Sequence, residues 1–212
     1  MKKTLLGLLL STSLLTVGAV SVSATVTDNG DGTQTISGEN SAKVEINGTI
    51  GASNTDPGGG LPETDDSWIN VTVPTTTTFG ARSGAAGATL LSPTYTVKNN
   101  SGRGVAVGYT TITGSTSSAG LNLNLAPTAG SNAQVVATPI ALVTNDTLQT
   151  TAKNLANLGP VTSSTAADGG TFTYEYTGSV TKAVDTVTPL TYEMTLSFKA
   201  LTKGATIDVP TN

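Results

Sequence analysis

The sequence predicts an all-β fold, an antiparallel β-sandwich of immunoglobulin-like or jelly-roll-like kind with one short helix. Three observations carry that prediction. Apolar and polar residues alternate with a period of two in segment after segment, as in Ile69-Asn70-Val71-Thr72-Val73 and Phe172-Thr173-Tyr174-Glu175-Tyr176. Such a period places one row of side chains on each face of a strand. The alternating segments are separated by turn-forming clusters rich in Gly, Asn, Asp, Ser and Pro. Only 11% of the 212 residues are charged, against about 25% in ordinary globular chains. Outward faces built from Thr, Ser and Asn suit an extracellular β protein.

Taken in order, the chain starts with a secretory signal. Lys2 and Lys3 precede an apolar run from Leu5 to Val20, and Val22-Ser23-Ala24 fits a small-residue cleavage site after Ala24. Ser11, Thr12 and Ser13 interrupt the run, which is short of the roughly 20 apolar residues a spanning helix needs. No membrane span is expected after cleavage. Loss of the two lysines takes the formal charge from −4 to −6, which disfavours nucleic acid or anionic lipid as a partner. Residues 25–212 are read as a single sandwich domain.

Residues 25–37, TVTDNGDGTQTIS, read as a hairpin around Asp28-Asn29-Gly30-Asp31-Gly32. Their carboxylates do not have the ligand spacing of a calcium loop, and no metal or other cofactor is expected. Residues 42–50 read as a strand bent near Gly48. Residues 51–67, GASNTDPGGGLPETDDS, read as a flexible loop with acidic Asp56, Glu63, Asp65 and Asp66. Leu61-Pro62-Glu63-Thr64-Asp65 falls one residue short of an LPxTG sorting signal, is internal, and has no apolar stretch and basic tail behind it.

Trp68, the sole tryptophan, stands at the entrance to strand 69–73. It is a core or cap aromatic on one reading and a platform for sugar rings on the other. Residues 95–97 begin a strand, KNNSGRG reads as a turn, and residues 105–112 are expected to pair back on that strand. Leu121, Leu123 and Leu125 alternate with asparagines. Pro139 splits the apolar run QVVATPIALV. The one helix is expected over residues 145–160, capped by Asn145 or Asp146, with Leu148, Ala152, Leu155 and Ala156 on one face and Gly159-Pro160 at its end. Strands follow at 172–176 and 192–199, and residues 205–209 could add another.

The sequence contains neither cysteine nor histidine. That removes Ser-His-Asp and Cys-His catalysis and the commonest zinc ligand. Glu175 and Glu193 stand beside aromatics and invite comparison with the paired carboxylates of glycosidases, but their phase places both on outward faces. No catalytic residue is assigned, and the chain is not expected to be an enzyme.

The signal peptide, KVEINGTIG, the acidic linker, WINVTVPTTTTFG, SPTYTVKNNSGRGVAV and YEMTLSFKA together resemble the small WxL-type surface proteins of Gram-positive bacteria, from about Lys43 to about Leu201. Tyr192-Glu193-Met194-Thr195-Leu196 occupies the place of the family's terminal W-x-L motif, with tyrosine in place of tryptophan. The resemblance implies a secreted protein held non-covalently at the cell wall, acting with other surface proteins encoded beside it. Trp68 and Tyr192 are the binding candidates. The partners expected are cell wall or other surface proteins, with a homo-oligomer left open. A fibre or biofilm-matrix subunit that assembles by strand addition is the alternative, and a secreted carbohydrate-active enzyme is a weaker one.

Overall fold

A computed structural model describes residues 25–28, 34–37, 53–81, 84–186 and 189–212. The signal segment and the expected strand at 42–50 lie outside the described residues. The chain divides into two compact units, Met1–Gly48 and Thr49–Asn212. In the first, β1 (Thr25–Asp28) pairs antiparallel with β2 (Gln34–Ser37), with Thr25 opposite Ser37. This is the hairpin that the Asp-Gly-rich turn predicts.

Among the described residues of the second unit, the regular elements are almost all strands. Its elements are β3 (Val71–Thr72), β4 (Gly80–Ala81), β5 (Leu90–Leu91), β6 (Tyr95–Asn99), β7 (Val105–Gly114), β8 (Leu121–Ala129) and β9 (Ala133–Val135). They continue with β10 (Ile140–Thr144), β11 (Thr147–Leu148), β12 (Lys153–Leu158), β13 (Thr171–Val180) and β14 (Tyr192–Ala200). One sheet has six strands in the order β11-β10-β8-β13-β6-β3, and a second has four in the order β14-β7-β12-β9. All the pairings are antiparallel. β4 and β5 form a separate two-stranded pair.

The core lies between the two larger sheets. Leu121, Leu123 and Leu125 of β8 and Phe172, Tyr174 and Tyr176 of β13 face Val105, Val107 and Tyr109 of β7 and Leu155 and Leu158 of β12 in one buried cluster. Full burial of each such side chain contributes about 1.5–3 kcal/mol. Aromatic rings add a directional component. Tyr95 of β6 and Tyr174 of β13 are opposite each other in register, with ring centroids 5.5 Å apart. Phe79 meets Tyr176 edge-on at 5.9 Å.

Two expected connections differ from what the structure forms. KNNSGRG does not fold strand 105–112 back onto strand 95–97, because β6 belongs to the six-stranded sheet and β7 to the four-stranded one. The segment crosses between layers, and Asn99, Ser101 and Arg103 within it are buried. The Asn99 amide makes this crossing possible by donating to the carbonyls of Arg103 (2.8 Å) and Gly159 (2.9 Å) and accepting from Ser101 N (2.9 Å). Buried backbone groups that no strand satisfies are thereby paired. Pro139 likewise marks a crossing, with β9 in one sheet and β10 in the other.

The helix expected over 145–160 is absent. Asn145 (φ 45°) and Asp146 (φ 67°) both adopt the left-handed region and make the tight turn joining β10 to β11, the backbone that two-residue hairpins favour. Residues 153–158 form β12. Its register slips between Asn154 and Ala156 against β7, so Leu155 is an extra, bulged residue. The bulge buries Leu155 and Ala156 consecutively, which breaks the period of two and imitates helical spacing. Among the described residues the single short helix is instead a 3-10 turn at Asp66–Trp68, capped by the Asp65 carboxylate accepting from Ser67 N at 2.8 Å. Residues 205–209 form no strand. Asp208 O accepts from Asn157 Nδ2 at 2.9 Å, and the Asn212 side chain accepts from Asn154 N at 2.6 Å, so the segment is tied to β12 by side chains.

Candidate interaction sites

Three places bear on binding: the surroundings of Trp68, the cleft near Tyr192, and the outer edge of β14.

Trp68 is fully buried. The 3-10 turn drops its ring beneath the loop that precedes it, where Nε1 donates to the Pro62 carbonyl at 2.8 Å. The Arg103 guanidinium lies over the ring, 3.9 Å from its centroid. Arg103 is itself only 4% exposed. Its Nε and Nη2 bind Glu63 Oε2 (3.1 Å) and Oε1 (2.7 Å), and Nη1 donates to the carbonyls of Pro57 (2.8 Å) and Gly102 (3.1 Å). Lys203 N adds a bond to Glu63 Oε2 at 2.9 Å. The hydrogen bond from Arg103, helped by that backbone N–H, holds the Glu63 carboxyl below its usual range. The acidic loop is thus clasped to the layer crossing. Its Gly102 N donates to Asn54 O at 2.6 Å. The indole faces are covered by this clasp, so a sugar ring would have to displace Arg103 to stack on them.

Tyr192 opens β14 and is half buried. Its ring stacks on Phe79 with centroids 6.2 Å apart and planes at 27°. Its buried hydroxyl has no hydrogen-bond partner among the described residues. Burial, and secondarily the Asp146 charge, push the phenol's pKa up. Phe79 in turn walls a cleft of about 670 Å³ together with Leu90, Leu121, Val180 and Leu190, a volume in the range of small-ligand sites. Ser117 and Asp185 are among its polar lining residues. Ser117 is engaged on its own account: its Oγ accepts from Ala119 N at 3.1 Å. The Asp146 carboxylate beside the cleft accepts from Gly120 N (2.9 Å) and Leu121 N (2.8 Å). Desolvation raises its pKa, but these bonds outweigh it and the net shift is downward. Tyr192 therefore stands one ring behind the cleft wall, and Trp68 lies in a different cluster.

Glu175 and Glu193 are not brought together. Glu175 is on the outward face of the six-stranded sheet and Glu193 on the outward face of the four-stranded sheet, both exposed. The core separates them, so they cannot flank one glycosidic bond. Among the described residues, no group of three or more acidic, His or Cys side chains could hold a metal ion, and no helix is long and apolar enough to cross a membrane.

The third feature was not singled out in the sequence. Among the described residues three of the four margins of the two larger sheets are strands of two or three residues, β11, β3 and β9, whereas β14 presents nine residues and pairs only with β7. Comparison of the chain with family models, curated proteins and solved structures gave no match.

Proposed function

We propose that this chain is a secreted, cell-wall-associated surface protein with a structural or interaction role, binding peptidoglycan or partner surface proteins. One observation carries the reading: tyrosines apart, the four buried polar or charged residues among those described, Asn99, Ser101, Arg103 and Ser117, are occupied in holding the fold. Asn99 and Ser101 satisfy the layer crossing, Arg103 clasps the acidic loop, and Ser117 accepts from Ala119 N in the loop before β8. What remains on the outside is hydroxyl- and amide-rich strand surface, as at Asn122, Asn124, Thr195 and Ser197, together with the apolar cleft. This arrangement favours presentation of surface over turnover of a substrate. Cell fractionation tests it. Recovery with the wall fraction and retention on purified walls are expected. Recovery only in the medium, with no retention on walls, overturns it.

A fibre or biofilm-matrix subunit is the second reading, supported by the β1–β2 hairpin, whose Thr27, Thr35 and Ser37 are exposed. A two-stranded hairpin is marginal by itself and gains from joining a neighbour's sheet. Electron microscopy of concentrated protein tests this, and persistent globular particles exclude it.

A further inference from the structure

We propose that the free edge of β14 is a self-pairing surface, and that two copies join there, antiparallel about a two-fold axis, to make one closed dimer. The inference does not depend on the wall-binding reading.

Backbone polarity supports it. The Thr191 carbonyl accepts from Ser115 N at 2.8 Å, the Thr195 carbonyl accepts from Thr110 Oγ1 at 3.4 Å, and Leu201 N donates to Gly104 O at 2.8 Å. Odd-numbered residues thus direct their N–H and C=O groups toward β7. Alternate residues of a strand point opposite ways, so Met194, Leu196 and Phe198 direct theirs outward. None of these outward groups pairs with another strand among the described residues. β14 is also unbroken: its register against β7 shifts between Thr195 and Leu196 because Thr110 of β7 is the extra residue. A long regular edge of this kind is what β proteins ordinarily avoid leaving open.

Side-chain complementarity fixes the partner as a second copy. With Leu196 opposite Leu196 of the second copy, residue 193 falls opposite 199, 194 opposite 198, and 195 opposite 197. Glu193 then meets Lys199 twice, once at each end, on the outward face. Thr195 meets Ser197 between them. On the core side Met194 meets Phe198, and these half-buried residues lose their remaining exposure. Opposite charges directly across strands stabilise a sheet, and like charges oppose it. A neighbouring register, moved by two residues, places neither charge opposite its complement. The paired edges join two four-stranded sheets into a continuous sheet. Because the same patch is used on both copies, the contact closes and does not propagate.

The chain has no cysteine, so the register can be read by cross-linking. Thr195→Cys and Ser197→Cys variants are prepared separately, and their circular-dichroism spectra are compared with that of the parent. Positions 195 and 197 form a non-hydrogen-bonded pair in the proposed register, with Cβ atoms near disulfide distance. Oxidation of the equimolar mixture is expected to give a covalent dimer, with much less from either variant alone. Sedimentation of the parent is expected to give a monomer–dimer equilibrium. Glu193→Lys should weaken the dimer by about tenfold or more, and adding Lys199→Glu in the same chain should restore it. A monomer at every concentration, as when a segment of the same chain covers the edge, overturns the proposal. So does an open series of larger species, which would place strand addition there instead. Equal cross-linking in all three samples also overturns it. Wall retention can survive or fail independently of each of these results.

Discussion

Replacing Arg103 by alanine probes the clasp that organises one end of the fold. Four hydrogen bonds leave the guanidinium, two to Glu63 and two to main-chain carbonyls, and its plane covers the Trp68 ring. Removing one member of a buried ion pair costs about 3–5 kcal/mol, because the survivor is left charged and dry. Here the survivor is not dry, since the Glu63 side chain is 47% exposed and water can solvate it again. That places the loss at the lower end of the range, about 3 kcal/mol, made up of the desolvated cation–π contact (~2 kcal/mol) and the carbonyls of Pro57 and Gly102 left without their charged donor. For a unit of this size, that lowers the melting temperature by roughly 6–12 °C. The sole tryptophan is the reporter, because its fluorescence follows this site with no other indole contributing. Urea unfolding of Arg103→Ala followed by fluorescence should show the lower midpoint with an unchanged slope. Arg103→Lys should fall between the two, since it keeps charge but loses the two-pronged geometry. A loss under about 1 kcal/mol for alanine, or a lysine variant equal to the parent, would refute the reasoning that fork and stack hold the loop.

The remaining predictions follow the same physics. Leu125→Ala, at a site with 0% exposure, should cost about 2–5 kcal/mol through lost burial and the cavity left behind, measured by denaturant midpoint; a cost below about 1 kcal/mol would mean the two sheets do not share this core. Tyr109→Phe should leave stability unchanged or raise it by about 1 kcal/mol, because the Tyr109 hydroxyl is buried without a partner among the described residues and its removal relieves an unmade bond; a clear loss would reveal a partner for it. The carboxyls of Glu63, Asp65, Asp146 and Asp168 all have pKa values lowered from ordinary values of 4.5 or 3.8. Depressed acids add stability above the unfolded pKa and lose it as pH falls through the folded one. The urea midpoint should therefore hold between pH 7 and about pH 5 and fall progressively below about pH 4; a midpoint that rises on acidification would contradict these assignments.

Strands were legible wherever burial follows a strict period of two. β8, β13 and β14 bury Leu121, Leu123 and Leu125, then Phe172, Tyr174 and Tyr176, or half-bury Met194, Leu196 and Phe198, and each alternation is plain in the residues. β12 was not legible as a strand because its bulge places Leu155 and Ala156 side by side in the core. A one-residue insertion of this kind turns strand spacing into helix spacing, and Asn145-Asp146 reads equally as a helix cap or a left-handed hairpin turn. Only pairing with β7 and β10 decides, and pairing is a property of distant residues. KNNSGRG failed for a related reason. Its composition specifies a change of direction, whereas the destination sheet is selected by the Asn99 amide reaching Gly159, 60 positions away.

The candidate sites divide along the same line. Trp68 and Tyr192 could be singled out because a lone indole and a tyrosine at a motif position are visible in one dimension. Arg103 could not, since its role depends on lying simultaneously over Trp68 and against Glu63, 40 positions earlier. A lone arginine in a glycine-rich turn carries no such signal. The β14 edge was hidden for the opposite reason: its residues read correctly, but whether a strand is central or marginal is settled by which other strands decline to pair with it. That distinction has a physical consequence. A central strand may carry any outward residues, whereas a marginal one must either repel a partner or match one. Glu193 and Lys199, of opposite sign and equally spaced about Leu196, repel an identical strand when parallel and in register, like charge against like, and match it when antiparallel. The same two side chains that guard the edge against one arrangement thus select the other.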